Sequence, residues 1–168
     1  MNNFLIRPAG PEDLPDMDRI ALSAKAAWGY PAELLESWRA ELQTCAASLR
    51  CCPAFVAVGR DGRRLAMMQI DPSKQPCDLR SLFVDPACMG QGIGRALLEQ
   101  AAWQAHALGH RQLQIDADPN AAEFYLACGA RPIGQVPAPI PGEPDRVRPQ
   151  LILDLVGPTS STSRPFVA

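Results

Sequence analysis

The stretch that decides the fold is Val84-Asp85-Pro86-Ala87-Cys88-Met89-Gly90-Gln91-Gly92-Ile93-Gly94-Arg95, which joins a short apolar run to a helical pattern that continues to Leu108. Its alternating glycines let backbone N–H groups approach an anion without obstruction by a Cβ, and the start of a helix adds partial positive charge. Arg95 adds a cation in the first helical turn. The arrangement predicts a pyrophosphate-binding turn; the alternative is a glycine-rich start of a helix that holds no ligand.

Two other phosphate-binding motifs fit this stretch less well. A P-loop needs Gly-Lys followed by Ser or Thr, whereas Gly94 is followed by Arg95 and Ala96. A dinucleotide fingerprint needs a glycine three places after Gly92, where Arg95 stands, and a parallel sheet. A phosphotransferase that binds ATP is therefore disfavoured.

Working outward from the turn, apolar periodicity and turn residues predict the other elements. We expect strands over 4–7, 55–58, 65–70, 79–84, 112–115, 131–136 and 151–155, and helices over 11–27, 31–49, 92–108 and 118–128, with a proline-rich loop over 137–149. Asp118 is expected to cap the last of these helices. This succession predicts one α/β domain over 1–156, with a mixed, largely antiparallel central sheet flanked by helices on both faces, and a flexible C-terminal tail over 157–168.

Composition restricts the partners and the compartment. The net charge of -2 and the lack of any Lys/Arg-dense run argue against a nucleic acid or an anionic membrane surface as partner. No apolar stretch approaches the roughly 20 residues that cross a bilayer. The start also lacks the layout of a signal peptide, so a cytoplasmic protein is expected. The six cysteines show no C-x-x-C spacing, and no metal site is expected.

A second motif is Asp118-Pro119-Asn120-Ala121-Ala122-Glu123-Phe124-Tyr125-Leu126-Ala127-Cys128-Gly129-Ala130. Together with the glycine turn, it resembles the GNAT superfamily of acetyl-CoA-dependent N-acetyltransferases. The family's turn reads Gln/Arg-x-x-Gly-x-Gly/Ala, and Met89, Gly92 and Gly94 fall on its three defined positions, so Met replaces the leading Gln/Arg. The second motif is similar to the family's Asn-x-x-x-x-Phe-Tyr-x-x-x-Gly-Phe, with one residue fewer after Asn120.

The resemblance implies acetyl-CoA as cosubstrate and direct attack of a primary amine on its thioester. It implies that Asn120 bonds the pantetheine arm, that Tyr125 protonates the departing thiolate, and that a backbone N–H near a bulge in the strand 82–84 stabilises the oxyanion. Tyr125 could instead only pack its ring into the core. The implied cofactor-binding residues are Leu82, Phe83, Val84, Met89, Gly90, Gln91, Gly92, Ile93, Gly94, Arg95, Asn120 and Phe124.

The base and the acceptor site are less well defined. Asp78 is the candidate base because some relatives carry a carboxylate near the start of the strand predicted over 79–84. The alternative is that Asp78 is a solvated surface carboxylate. Trp28 and Tyr30 occupy the position of the family's acceptor loop, where they wall the substrate pocket or else pack helix against sheet. In the proline-rich loop, Arg146 and Arg148 could bind an acceptor carboxylate or simply be solvated.

The acceptor is expected to be a small-molecule or peptide amine; polyamine, amino acid, aminoglycoside and peptide all remain open. A homodimer is plausible on family grounds. The alternative function is a non-catalytic acyl-CoA-binding sensor module, against which the presence of Asn120 and Tyr125 argues.

Overall fold

The computed structural model describes residues 3–156, which contain seven strands and four α-helices. The strands are β1 Phe4–Pro8, β2 Ala54–Gly59, β3 Arg64–Asp71, β4 Cys77–Val84, β5 Gln112–Asp116, β6 Arg131–Pro137 and β7 Val147–Asp154. The α-helices are α1 Leu14–Ala27, α2 Ala32–Leu42, α3 Ile93–Ala107 and α4 Ala122–Ala127, and 3₁₀ turns span Pro11–Asp13, Ser48–Arg50 and Pro86–Cys88. The predicted tail over 157–168 lies outside the described residues.

One sheet contains all seven strands in the order β1-β2-β3-β4-β5-β7-β6. Every neighbouring pair is antiparallel except β4 and β5, which run parallel. Parallel neighbours need a crossover, and α3 supplies it between these two strands. The expectation of a mixed, largely antiparallel sheet is confirmed.

Helices cover both faces of the sheet, as expected. In β2, Phe55 and Ala57 belong to the core cluster that contains the buried side chains of α3. The alternating Ala54 and Val56 pack instead with Met17 and Ile20 of α1. Because successive strand side chains point to opposite faces, the continuous apolar run of β2 fits a strand buried on both sides.

The second helix ends earlier than the sequence predicts. α2 stops at Leu42 rather than near residue 49, and Gln43 adopts an extended backbone. The next N–H, that of Thr44, donates to the Asp18 carboxylate of α1 at 3.0 Å. This contact with α1 carries the chain away from the helical path.

The last helix and the last strand also differ from the prediction. α4 begins at Ala122, not at Asp118, whose carboxylate accepts the Asn120 N–H in a turn before the helix. β7 begins at Val147, inside the predicted proline-rich loop. Pro149 fits in this strand because its carbonyl accepts the Ala117 N–H, so the strand uses the acceptor that proline still has.

A buried carboxylate holds the N-terminal elements together. Asp13 is fully buried, and its two oxygens accept from Arg7 at 2.7 and 2.8 Å and from Arg64 at 2.7 Å. The Gly10 N–H donates to it at 2.9 Å. Hydrogen bonding from Arg7, with help from Gly10 and Arg64, outweighs burial and lowers the pKa of Asp13. This carboxylate therefore joins β1, β3 and the start of α1.

Replacing Asp13 with Asn should lower the free energy of unfolding by about 2–4 kcal/mol, because two partly buried arginines lose their counter-charge. Urea unfolding measures the change, and Asp16→Asn, a more exposed carboxylate, should cost less than about 0.5 kcal/mol. A lowered folded-state pKa gives stability that is complete above the unfolded value and is lost on acidification. The difference between wild type and Asp13→Asn should therefore shrink below about pH 4. A difference that stays constant with pH would refute this role.

Candidate functional site

The sheet opens between its two parallel strands. β4 and β5 pair only at Cys77 with Leu113 and at Asp78 with Gln114. Beyond this point β4 follows β3, and β5 follows β7. A bulge lies just after the last pair, because Ile70 pairs with Leu79 while Gln69 pairs with Ser81, which leaves Arg80 unpaired. Since a bulge bends and twists a strand, it turns β4 away from β5. The bulge lies ahead of the strand segment 82–84 in which the resemblance suggested it.

A cavity of about 400 Å³ lies in this opening, and we call it the turn cavity. The end of β4, the glycine turn and α4 form its walls. All the predicted cofactor-binding residues line it except Gln91: Leu82, Phe83, Val84, Met89, Gly90, Gly92, Ile93, Gly94, Arg95, Asn120 and Phe124. Gln91 is exposed and lies outside the lining.

The glycines of the turn serve two different purposes. Gly90 and Gly92 have positive φ values of 76° and 78°, and a Cβ at either would meet open space, so the backbone conformation requires them. At Gly94 a Cβ would lie 3.3 Å from Phe124 and 3.4 Å from Val84, so the missing side chain permits close packing. The first N–H groups of α3 have no carbonyl partner within the helix. The turn therefore brings polar backbone groups to the cavity wall.

The ends of the turn are fixed by polar contacts. Asp85 accepts the Ala87 N–H at 3.0 Å and a hydrogen bond from Arg19 at 2.9 Å, which ties the turn to α1. Arg95 donates to the Ala127 carbonyl at 3.2 Å and so links α3 to α4. Met89 is exposed at the cavity and offers apolar surface where the family has a polar side chain.

Tyr125 lies in the wall of the turn cavity and is only 6% exposed. Its ring packs edge-on against Phe124, with centroids 5.0 Å apart. Among residues 3–156, no group hydrogen-bonds to its hydroxyl. Burial, reinforced by Cys128 and Asp118, raises the pKa of Tyr125, so the hydroxyl keeps its proton at neutral pH.

A second cavity of about 500 Å³, which we call the charged cavity, shares Phe83 with the turn cavity. Asp78 lines this second cavity and not the first. Burial, with the nearby charges of Asp71 and Asp116, raises the pKa of Asp78. Within the part of the chain that the structure describes, no cation forms an ion pair with Asp78, so its carboxylate is available to a bound molecule.

Asp118 is the common partner of a buried polar network beside both cavities. Lys25 donates to it at 2.5 Å, Tyr30 at 3.1 Å and Arg146 at 3.4 Å. Asn120 donates to it through its backbone N–H at 2.9 Å and its side-chain amide at 3.0 Å. Burial alone would raise the pKa of Asp118, but Lys25 and Asn120 hold it below its usual range. The carboxylate therefore stays ionised.

Aromatic rings surround the Lys25 ammonium. Its nitrogen lies 5.4 Å from the ring centre of Trp28, 5.6 Å from that of Tyr30 and 5.2 Å from that of Trp38. Trp28 also lines the turn cavity, whereas Tyr30 lines neither cavity. The Tyr30 hydroxyl instead bonds Asp118 and Arg146. The two predicted acceptor-site aromatics thus lie together around a lysine, and their role toward an acceptor stays a prediction.

Sequence reasoning missed Lys25, Trp38 and the polar role of Asp118. A signal existed for Lys25, which stands four residues after buried Ala21 and so falls on the apolar stripe of α1. A lysine at such a position needs a counter-charge, but nothing in the sequence says which carboxylate supplies it.

The described residues lack two kinds of feature, a metal-binding cluster and a membrane-spanning helix. Residues 3–156 contain no cluster of His, Cys, Asp or Glu suited to a metal, and no described helix has the length and apolarity of a membrane span.

Comparison with known proteins finds similarity to acetyltransferases. The model of the acetyltransferase (GNAT) domain matches residues 52–129. A GCN5-related N-acetyltransferase from Rhodopseudomonas palustris is 26% identical, with a TM-score of 0.74 over 92% of this chain and 98% of that one. The PaiA N-acetyltransferase from Thermoplasma acidophilum, solved with coenzyme A, is 17% identical, with a TM-score of 0.71 over 92% and 99% of the two chains. No curated protein matches the chain.

The matched segment contains the bulged strand, the glycine turn, α3 and α4. It therefore includes most of the wall of the turn cavity, and the similar structures extend the agreement to the remaining strands and helices. On this evidence residues 52–129 are similar to the GNAT acetyltransferase domain, the whole chain has the fold of the GCN5-related N-acetyltransferases, and these similarities support an acyltransferase.

Proposed function

We propose that this protein transfers the acetyl group of acetyl-CoA to the nitrogen of a primary amine by direct attack. One observation carries the proposal: the turn cavity opens at the parting of β4 and β5, and the positive-φ glycines at the start of α3 form one of its walls. A backbone anion site next to unpaired strand edges suits a ligand that has both a pyrophosphate and an amide-containing arm.

The donor half of the site uses mostly backbone groups. The N–H groups of Gly90, Gly92 and the first turn of α3 bind the pyrophosphate. Beyond Asp78, the edge of β4 that faces away from β3 has no β5 partner, so its backbone groups bond the pantetheine amides and polarise the thioester carbonyl. The side-chain amide N–H groups of Asn120 are directed to Tyr30 and Asp118, which leaves its carbonyl oxygen to accept from the arm.

The acceptor half is the charged cavity, which meets the same strand at Phe83. The amine nitrogen bonds to the thioester carbon as the carbon–sulfur bond breaks. Bond formation leaves a positive charge on that nitrogen, and the proton that it loses passes to the Asp78 carboxylate. The Tyr125 hydroxyl gives its proton to the departing thiolate. The raised pKa of Asp78 makes its carboxylate a better base, and the raised pKa of Tyr125 keeps its hydroxyl protonated at neutral pH, although it also makes that hydroxyl a weaker acid.

Acetyl-CoA should bind with micromolar Kd, about -8 kcal/mol, in calorimetric titration, and ATP should not bind. Gly92→Ala should weaken this binding by about tenfold, because an alanine at positive φ shifts the turn. Gly62→Ala is the matched control, since Gly62 has φ 81° in the turn between β2 and β3 and lines neither cavity. Equal loss of binding in the two variants, or none in Gly92→Ala, would show that the turn is structural.

Tyr125→Phe should lower kcat by about 10²-fold to 10⁴-fold while leaving the Kd of acetyl-CoA within twofold. The ring and its packing remain, and only the proton donor is removed. Thiol release with an amine panel measures turnover, and calorimetry measures the Kd. Unaltered turnover would assign Tyr125 to packing. A wild-type protein that binds acetyl-CoA but releases no thiol with any amine would favour the acyl-CoA sensor.

Asp78→Asn should remove the part of the acidic limb of the kcat/KM profile that the enzyme base contributes and leave the part that titration of the amine contributes. The base works when it is deprotonated, so the wild-type rate falls as the pH drops through the pKa of Asp78, which lies above its usual value. The profile is read with a single amine, so the titration of that amine is common to both proteins. Asp61→Asn, an exposed carboxylate in the turn between β2 and β3, should retain the wild-type profile. An unchanged acidic limb in Asp78→Asn would remove Asp78 as the base.

A further inference from the structure

We propose that the acceptor amine also carries an anionic group, in its simplest form the carboxylate of a free amino acid, which binds Arg146 and Lys25 in the charged cavity. The inference rests on the proposed function and deepens it, because it names the substrate class. It starts from an uneven pairing of charges around Asp118, in one part of the wall of that cavity.

Lys25, Arg146 and Asp118 bring two cations to a single carboxylate. The side chain of Lys25 is 14% exposed and that of Arg146 only 5%, so water screens the surplus positive charge poorly. Tyr30, which bonds both Asp118 and Arg146, adds no charge, and burial raises the pKa of its hydroxyl further. This part of the wall therefore favours an anion.

Both cations keep unused donors. Arg146 donates through Nη1 to the Ala138 carbonyl at 2.9 Å and through Nη2 to Tyr30 at 2.9 Å and to Asp118. A guanidinium has five N–H donors, so Nε–H and one Nη1–H remain. Lys25 uses one of its three donors on Asp118. The existing bonds fix the Arg146 guanidinium in place, which reduces the ordering that an anion must impose on binding.

Arg148, which the sequence suggested equally, does not offer the same site. Its Nε and Nη2 bind both oxygens of Asp116, at 2.9 and 2.8 Å. Its side chain is 44% exposed, so this pair is neutral and solvated. Arg146 lies in the loop before β7 and Arg148 lies in β7. Two arginines that are only two positions apart in sequence therefore have different surroundings.

The charged cavity also contains the opposite charge. Asp78 and Glu41 line it, and neither forms an ion pair with a described residue. A zwitterionic acceptor matches this arrangement, with its ammonium group toward Asp78 and its carboxylate toward Arg146. A polyamine or an aminoglycoside would instead bring a further cation to Lys25 and Arg146, where like charges repel.

The test compares matched pairs of acceptors on the full chain, by thiol release from acetyl-CoA. The panel contains the free α-amino acids, β-alanine and γ-aminobutyrate, each beside its carboxamide, together with spermidine. At least one amino acid should exceed its carboxamide by about 100-fold in kcat/KM, because the carboxamide leaves a buried cation without its partner. Carboxamides or spermidine used as well as the carboxylates would overturn the inference.

Arg146→Met should raise the KM for the preferred amino acid about 100-fold and bring the carboxylate-to-carboxamide ratio close to one. Arg146→Lys should restore part of the ratio, since lysine returns the positive charge but not the planar guanidinium that binds a carboxylate with two donors. Arg131→Met, at an exposed arginine paired with Asp154, should leave the ratio unchanged. A Kd for acetyl-CoA within twofold of wild type shows that each variant is folded. If Arg146→Met keeps the ratio, Arg146 does not bind the anion.

The same data separate the two proposals. Absence of acetyl-CoA binding, or binding without thiol release from any amine, would remove the proposed function. Acetyl-CoA binding with turnover only of amines that lack an anionic group, polyamines included, would leave the proposed function in place and overturn only the substrate class.

Discussion

The parting of β4 from β5 after Asp78 is the constraint on which the rest of the site depends. Two parallel residue pairs hold the strands together, and then each strand stays with its other neighbour. An unpaired strand edge inside a sheet is normally a liability, because its N–H and C=O groups lack partners. Here the bulge at Arg80 and the packing of α3 and α4 convert that edge into a cavity wall. The second cavity shares Phe83 with the first, so a single distortion of the sheet creates two adjoining cavities.

Asp118 has a comparable importance for the side chains. It joins Lys25 of α1, Asn120 at the turn cavity and Arg146 in the loop before β7, three parts of the chain that lie far apart in sequence. Such buried ion pairs add little net stability, because desolvation offsets most of their attraction. Their effect is geometric: they fix where the charged groups point. The network therefore makes the shape and charge of the charged cavity depend on residues that also border the turn cavity.

The parts of the fold that local sequence determines could be predicted. The glycine turn, the apolar stripe of α3 and the short apolar or alternating runs of β2 to β4 follow from chain geometry, and all the predicted cofactor residues except Gln91 line the turn cavity. The errors have tertiary causes. α2 ends early because the Thr44 N–H bonds Asp18. Asp118 does not cap α4, and its carboxylate instead binds Lys25, which is 93 positions away in sequence. The cluster of aromatic rings around Lys25 could not be predicted for the same reason. Trp28, Tyr30 and Trp38 meet only when α1 and α2 pack together.

The two cavities differ in what their walls are made of, and this difference bears on specificity. The turn cavity relies on backbone N–H groups and on glycine conformation. The backbone conformation of the turn is therefore kept with Met at position 89. A backbone site depends on the course of the chain and tolerates exchange of its side chains. The charged cavity depends instead on the side chains of Lys25, Asp78 and Arg146, so single exchanges there alter its charge. Under the proposed function, the donor site thus rests on features that the fold dictates, and the choice of acceptor rests on a few charged side chains.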